Sequence, residues 1–477
     1  MRGPEFLIAI YTPLVLKNSL VEKIRQYFLF TTEWPLTSNN LLKDLPVKLK
    51  KILPSTTNRE FLEWLVGFTD AEGCFRVVPN RNWASVCLNF QIEVHIDDVE
   101  VLYKIRKALG IGNVHLGKTR PAASFKVSKL EDIASVIIPI FNEFPLQTTK
   151  YLDFISFKDA ALILLTKKKG RREGAVAPSL PSPPSLRLER VALSKEILVL
   201  KKIKESMNSG RLVIDSKQEN ILKQKVLINK WWLLGFVEGE GTFGYKHLVP
   251  YFQIAQNKKN LFILEAIENY MINIFKLSSS QEIFKYSLNK ATGVYSMVVQ
   301  KVDINFYYIL PFFESLTFFS RKNIDYLYWV IVILIHKLGF YYLAEGKKMA
   351  LDISSATNKY RYTTNSLKKI ELPNIEFILK LFSQTPPLDI SSGRNHFELV
   401  RELTITKGGR KGFTVHIYEE ISPNKYKELK GSPFSTYGDG HEAICQIRGS
   451  RVIGRYIDTG KKYKDKYLFS SIPGPSQ

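Results

Sequence analysis

The sequence predicts an α+β chain in which one half-domain is written twice, each copy running helix, two strands, helix, two strands, helix. Three observations predict it. An apolar segment ending in an acidic residue and a glycine occurs twice, as Trp64–Gly73 and Trp232–Gly241. Behind the first copy, residues 84–94 alternate strictly, with Val86, Leu88, Phe90, Ile92 and Val94 on one face and Ser85, Cys87, Asn89, Gln91 and Glu93 on the other. Period two is the mark of a half-buried strand. Downstream landmarks then recur in unchanged order: Phe90-Gln91-Ile92 as Phe252-Gln253-Ile254, Pro139 as Pro311, Lys150 as Lys322, and Asp153-Phe154 as Asp325-Tyr326. Two copies of one fold in a single chain are the fused counterpart of a symmetric dimer, so a monomer with an internal pseudo-two-fold is expected.

The first helix of each copy starts at a capping residue, Thr57 or Asn58 in one and Asn229 in the other. Each stops at a glycine, Gly73 and Gly241. Gly67 and Ala71 stand four apart, as do Gly235 and Gly239, so each pair shares a helix face. Small residues on facing stripes let two helix backbones approach closely. Glu72 and Glu240 then lie at the same end of two packed helices. Facing carboxylates at helix C-termini are unfavourable, because the dipole there favours positive charge, and one is driven toward protonation. A divalent cation removes the conflict. Mg²⁺ (or Mn²⁺) suits two carboxylates, since it completes its shell with water and phosphate oxygens. A metal so placed can activate water and stabilise the leaving oxygen in phosphodiester hydrolysis.

Charge points to the same chemistry. Lys plus Arg number 68 against 45 Asp plus Glu, a formal net charge of +23. Such a surplus attracts a polyanion, nucleic acid first and an anionic membrane surface second. With 45% hydrophobic and 12% aromatic residues the chain has a folded core and is no basic tail. Three cysteines, Cys74, Cys87 and Cys445, show no CxxC spacing; this excludes a disulfide framework and a structural zinc site, and fits a reducing or organellar interior. The apolar run 326–335 is too short to span a bilayer and reads as a buried helix. Residues 6–16 are apolar, but no cleavage site follows, so no secretory signal is expected.

The polar strand face carries amide and hydroxyl groups able to read base edges in a major groove. Candidate DNA contacts in the first half are Ser85, Asn89, Gln91 and Glu93, extended by Arg76, Asn80 and Arg81. The analogous candidates in the second half are Tyr245, Lys246, Gln253, Lys285 and Tyr286. Further strands are expected near 124–127 and 295–299, and helices near 99–109 and 261–274 that cover the sheet backs. Lys150 and Lys322 open equivalent later helices. They are candidates either to stabilise charge at the two scissile phosphates, or to make plain backbone contacts, or to pack structurally.

Composition marks five segments: an N-terminal extension (1–55), the first half-domain (56–166), a linker (167–189), the second half-domain (190–385) and a C-terminal module (386–477). The linker joins the basic run Lys167-Lys168-Lys169-Gly170-Arg171-Arg172 to a Pro/Ser-rich stretch, 178–185. That composition builds no core, and its basic run either touches DNA or is simply solvated. Residues 1–55 carry no readable motif. After Pro386 the Gly, Ser and Lys content rises.

The segments Leu65–Gly73 and Leu233–Gly241 resemble the two motifs of LAGLIDADG homing endonucleases, and the resemblance covers about 60–326 apart from the linker. It implies two αββαββα half-domains with antiparallel sheets curved like a saddle over double-stranded DNA. By that resemblance Glu72 and Glu240 are the metal ligands and catalytic acidic residues, while Asp70 and Glu238 are structural. It also implies hydrolysis of both strands of a long DNA site to leave short 3′ overhangs, spread of the encoding intron, and translation within fungal mitochondria. The alternative within the same fold is an RNA maturase acting on its own intron RNA, which would not need the acidic residues. A third reading is a catalytically dead DNA-binding protein. Retention of both glutamates favours the nuclease.

The series Gly431–Tyr437, Arg451–Lys461 and Lys466–Ser471 resembles the small helix-turn-helix-like DNA-binding module appended to several homing nucleases. That likeness places a short helix near 448–455, with Arg451 and Arg455 at phosphates or in a groove. The chain departs from the pattern at 438–442, where Gly-Asp-Gly-His-Glu replaces small and apolar residues.

Overall fold

The computed structural model describes residues 45–81, 83–173, 195–211, 213–277 and 283–388, with parts of 416–470. They fall into two compact units. One runs to Ile333 and adds Asp352–Leu372; the other comprises Leu334–Leu351 and the chain from Pro373 onward.

In the larger unit the first half runs α1 (Arg59–Glu72), β1 (Gly73–Pro79), β2 (Val86–His95), α2 (Val99–Leu109), β3 (Asn113–Leu116), β4 (Ala122–Val127), α3 (130–143) and α4 (Lys150–Glu173). After α5 (Lys195–Glu205) and α6 (Ser216–Lys225), the second half repeats the order: α7 (Lys230–Glu240), β5 (Gly241–Lys246), β6 (Val249–Asn257), α8 (Leu261–Phe275), β7 (Lys285–Asn289), β8 (Val294–Val299), α9 (302–314) and α10 (Lys322–Lys337), whose last turn from Leu334 counts with the smaller unit. Both sheets are antiparallel with matching topology, β1-β2-β4-β3 and β5-β6-β8-β7. The α+β class is as expected. Each half carries one more helical segment than expected, α3 and α9. Both contain a π turn, 133–137 and 305–309, immediately before the helical turns that hold Pro139 and Pro311. A proline removes one amide donor and crowds the carbonyl four residues back; a local π turn widens the helix there.

The same five aromatic positions glue helices to each sheet. Phe75 lies 5.2 Å from Phe90 and Phe157, 5.4 Å from Phe141 and 5.6 Å from Phe154. In the second half Phe243 lies 5.2 Å from Tyr326 and Trp329, 5.4 Å from Phe313 and 5.5 Å from Phe252. Such ring pairs contribute about 0.5–1.5 kcal/mol each beyond the area they bury.

The halves meet along α1 and α7. Asn58 and Asn229 cap them, accepting from the amides of Phe61 and Trp232 at 2.8 Å. Thr57, the alternative cap, instead donates to the Ala108 carbonyl. A Cβ built on Gly67 would stand 1.9 Å from the Trp232 carbonyl oxygen, and one on Gly235 would stand 2.1 Å from that of Trp64. The helices therefore touch backbone to backbone, and only glycine fits.

Three boundaries differ from expectation. The α4 helix continues to Glu173, past the expected linker start at Lys167. Residues 195–211 belong with the first half: the Asn208 amide donates to Asp153 and its side chain to the Phe75 carbonyl. The chain from Pro373 groups with the smaller unit rather than with the second half-domain. In that smaller unit, Phe340 meets Phe382 of α11 (Ile375–Ser383) edge to face at 5.5 Å, and the Leu388 amide donates to the Leu338 carbonyl. Its C-terminal part forms a sheet of four short strands, β9 (His416–Ser422), β10 (Lys425–Glu428), β11 (Lys462–Tyr463) and β12 (Tyr467–Ser470), in the order β10-β9-β12-β11. Strands therefore occupy the described part of the expected helix-turn-helix-like module, and Arg451 and Arg455 lie outside the described residues.

The α1–α7 contact makes a sharp prediction. Gly67→Ala or Gly235→Ala forces the two backbones apart and costs at least about 2 kcal/mol, read as a fall in melting temperature. A melting temperature unchanged within 1 °C or so would show that the helices are not in backbone contact.

Candidate active site

The acidic residue two positions before each terminal glutamate anchors the site. Asp70 accepts from the amides of Gln147 (2.8 Å) and Thr148 (3.1 Å), from the Thr148 hydroxyl (2.6 Å) and from the Trp232 indole (2.8 Å). Glu238 accepts from the amides of Phe319 (2.8 Å) and Ser320 (2.5 Å) and from the Trp64 indole (2.9 Å). Each carboxylate thus ties the end of its own helix to the start of α4 or α10, while the indole comes from the opposite helix. Both groups are nearly buried, at 3% and 5% exposure, which raises their pKa values against the pull of these donors.

That tie carries Lys150 and Lys322 to the helix ends. The Lys150 ammonium donates to the carbonyls of Thr69 (3.2 Å) and Ala71 (2.6 Å), and Lys322 donates to Gly241 (2.9 Å). They bond carbonyls at the helix ends and place positive charge where the dipole favours it. Burial lowers both pKa values, opposed by nearby carboxylates that include Glu72.

Glu72 and Glu240 are the last residues of α1 and α7. A Cβ on Gly239 would stand 3.3 Å from Glu72 Oε1, so the Glu72 side chain lies directly against the opposite helix. Burial, then the Glu240 carboxylate, raises the Glu72 pKa, while Lys150 and Lys322 lower it. Burial likewise raises Glu240, opposed first by the Gln256 amide and then by the same two lysines. Two mutually repelling carboxylates with two lysines beside them fit one kind of metal, a hard divalent cation that keeps most of its shell for water and phosphate oxygens. Among the described residues no cluster of three or more His, Cys, Asp or Glu could hold a metal by itself.

The strand register decides which polar candidates share the open sheet faces. In the first sheet Arg76 pairs with Asn89, Gln91 with Lys126 and Glu93 with Ser124. Arg76 is exposed and Asn89 half-buried; Asn80, Arg81 and Ser85 are exposed in the connecting turn. Gln91 is only 4% exposed and donates to Glu93, which also accepts from Arg120. In the second sheet Gln253 pairs with Thr242 and Val298, and Lys285 also pairs with Val298. Lys246 and Lys285 are exposed.

Two expected contacts are corrected. Tyr245 follows Phe243 by two positions and shares its inner face; its hydroxyl is buried in the protein, and that burial raises its pKa. Tyr286 pairs with Met297 on the helix-facing side of the sheet and donates to Glu268 of α8 at 2.6 Å, although at the sheet edge it stays 39% exposed. Lys246 and Lys285 are their chain neighbours, and strand alternation puts neighbours on opposite faces. The register also adds residues that the sequence reading passed over. Lys126, Asn113 and His115 join the first open face. Tyr251 lies on the second, where Gly244 makes room for its ring, since a Cβ there would stand 2.5 Å from it. Lys126 was legible as the outward position of the strand near 124–127. Gln256 was not, because nothing local reveals that it reaches Glu240.

The LAGLIDADG endonuclease family model matches residues 65–161 and again 233–333. Each half-domain is thus similar to the LAGLIDADG endonuclease family over the matched stretch. The chain is 24% identical over 430 residues to an uncharacterized mitochondrial protein, RF1, of Saccharomyces cerevisiae, covering 86% of this chain and 82% of that protein. It is 27% identical to the probable intron-encoded endonuclease Cox1-I1b of Schizosaccharomyces pombe, over 58% of this chain and 64% of that one. It is 26% identical to probable intron-encoded endonuclease 3 of Neurospora crassa, over 55% and 48%. The chain therefore spans less than two thirds of the last two relatives. Similar solved structures include I-SmaMI bound to uncleaved DNA target with calcium ions (TM-score 0.49, 20% identity, 62% of this chain and 99% of that one). Another is I-GzeII in complex with DNA target (0.49, 23%, 63% and 99%).

The repulsion at Glu72 has a measurable sign. Folding raises its pKa, so the folded state holds that proton more tightly than the unfolded chain. This stability is full below the unfolded value and is lost as pH rises through it toward the folded value. In metal-free buffer at neutral pH, Glu72→Gln is therefore stabilising, read as a rise in melting temperature. The gain disappears below pH of about 4. Melting curves in chelator from acid to neutral pH check it, and a pH-independent difference would show that the carboxylate is unstrained.

Proposed function

We propose that this protein is a single-chain, divalent-metal-dependent endonuclease that cuts both strands of a double-stranded DNA target, and so promotes movement of a mitochondrial intron that encodes it. One observation carries the reading: Glu72 and Glu240 end two helices in backbone contact, with Lys150 and Lys322 anchored beside them. The relatives named as intron-encoded endonucleases support the activity, and the yeast mitochondrial relative supports the organellar origin.

In this reading the open sheet faces bind the duplex. Arg76, Asn80, Arg81, Ser85, Asn89, Lys126, Lys246, Gln253 and Lys285 supply phosphate and base-edge contacts. Glu72 and Glu240 hold Mg²⁺ or Mn²⁺, which when bound supplies Lewis acidity and an acidified water. Lys150 and Lys322 stabilise negative charge that develops at the scissile phosphates. Asp70 and Glu238 keep the helix ends and the lysines in register. The chain acts as a monomer, because both halves of the site are already present in it.

Plasmid-library cleavage with Mg²⁺, comparing the native protein with Glu72→Gln and Glu240→Gln, tests the activity. Cut ends are expected only with the native protein, with DNA binding kept in the variants. Cleavage that survives both substitutions would refute the site. The two sheet faces have a separate test. Lys246→Ala lowers the slope of log affinity against log salt by about one, whereas Tyr286→Phe leaves it unchanged. Equal effects would mean that the face assignment is wrong.

A further inference from the structure

Beyond the second matched stretch the chain returns to the site. Residues 208–211 and 358–361 make the same turn in the two halves. Asn208 and Asn358 both have positive φ, 53° and 56°. Each donates its amide to the aspartate on the last helix of its half, Asp153 at 3.0 Å and Asp325 at 2.8 Å. Each side chain donates to a strand carbonyl, Phe75 at 2.8 Å and Phe243 at 3.0 Å. Three residues on, an arginine pairs with the same aspartate: Arg211 with Asp153 at 3.2 Å, Arg361 with Asp325 at 3.1 Å.

There the symmetry stops. Arg361 also pairs at 2.9 Å with Asp98, which precedes α2 in the first half, and the Tyr362 hydroxyl donates to the same carboxylate at 3.0 Å. The residue matching Asp98 in the second half is Asn260, and Lys259 stands in place of Asp97. Lys259 donates to the Arg211 carbonyl instead. One half therefore carries a buried carboxylate beside the site that the other lacks. Glu72, Asp98, Lys322 and Arg361 line one cavity of about 320 Å³, and Glu240 is not among its lining residues.

The charges in this corner compete. Asp325 stands three residues after Lys322 on α10, within side-chain reach on the same helix face. Asp98 and Asp325 are 8% and 0% exposed. Left unpaired, two buried carboxylates would draw the Lys322 ammonium away from the Gly241 carbonyl and from Glu72. The planar fork of an arginine can hold both at once, which a lysine cannot. We propose that Arg361 is a positioning residue for the Glu72 side of the site: by holding Asp98 and Asp325 it leaves Lys322 facing Glu72 and the phosphate bound there. This rests on the nuclease reading above.

The test follows supercoiled target plasmid through nicked to linear form with Mg²⁺ under single-turnover conditions. Arg361→Gln is expected to slow one strand about tenfold to a hundredfold, so that nicked circles accumulate with the nick always on the same strand. DNA affinity measured with Ca²⁺ is expected to stay within about twofold, since the change acts on the chemical step. Arg361→Lys keeps the charge without the fork and falls between. Adding Asp98→Asn to Arg361→Gln supplies the residue that the other half already uses and is expected to restore much of the rate. Arg211→Gln, in the matching turn, does not accumulate that nick. Slowing of both strands together in proportion to lost thermal stability, or no nicked intermediate, overturns the inference while the nuclease reading stands. A native protein that cuts with neither Mg²⁺ nor Mn²⁺ overturns the nuclease reading, and this inference with it.

Discussion

Gly67 and Gly235 let two helix backbones touch, and the site depends on that contact. Helices with ordinary side chains pack about 8–10 Å apart. The absence of a Cβ at these two positions removes that spacing, with each glycine set against the opposite tryptophan carbonyl. The terminal carboxylates are then brought together by backbone geometry rather than by flexible side chains. Their mutual repulsion is the consequence, and a cation between them is the physical remedy.

Asp70 and Glu238 make that contact directional. Each accepts an indole N–H from the opposite helix and backbone amides from the start of its own late helix. The same two carboxylates therefore set the register between α1 and α7 and place Lys150 and Lys322 at the helix ends. Removing such a group would leave several buried donors unpaired, at about 1–3 kcal/mol for each. In the proposed nuclease, such rigid placement would set both cations before a phosphate arrives, the condition under which electrostatic stabilisation is effective. The two five-ring clusters around Phe75 and Phe243 do the matching work for the sheets, pinning each to its own helices.

Much of this was legible in the sequence because it is local or repeated. Duplication exposed the two halves, the small-residue stripes announced the helix contact, and strict alternation identified β2. The mistakes were local as well. Tyr245 with Lys246, and Tyr286 with Lys285, are chain neighbours on strands, so only one of each pair could face the ligand. The helical pieces around Pro139 and Pro311 escaped because proline ordinarily argues against a helix interior, and only a π turn reconciles it. The outer segments 195–211 and 358–361 escaped because their repeat is short, and its meaning lies in bonds to Asp153 and Asp325.

By itself the sequence determined the class of fold, the pairing of Glu72 with Glu240 and the positive character of the surface, since periodicity, duplication and charge are properties of the chain alone. Tertiary structure decided the rest. It alone shows that Lys150 and Lys322 rest on helix-end carbonyls, that Gln256 reaches Glu240, and that Arg361 spans the two halves to Asp98. Those contacts join residues dozens to hundreds of positions apart, and no local pattern encodes them. They exist because folding brings distant polar groups into a space where each buried charge must find a partner.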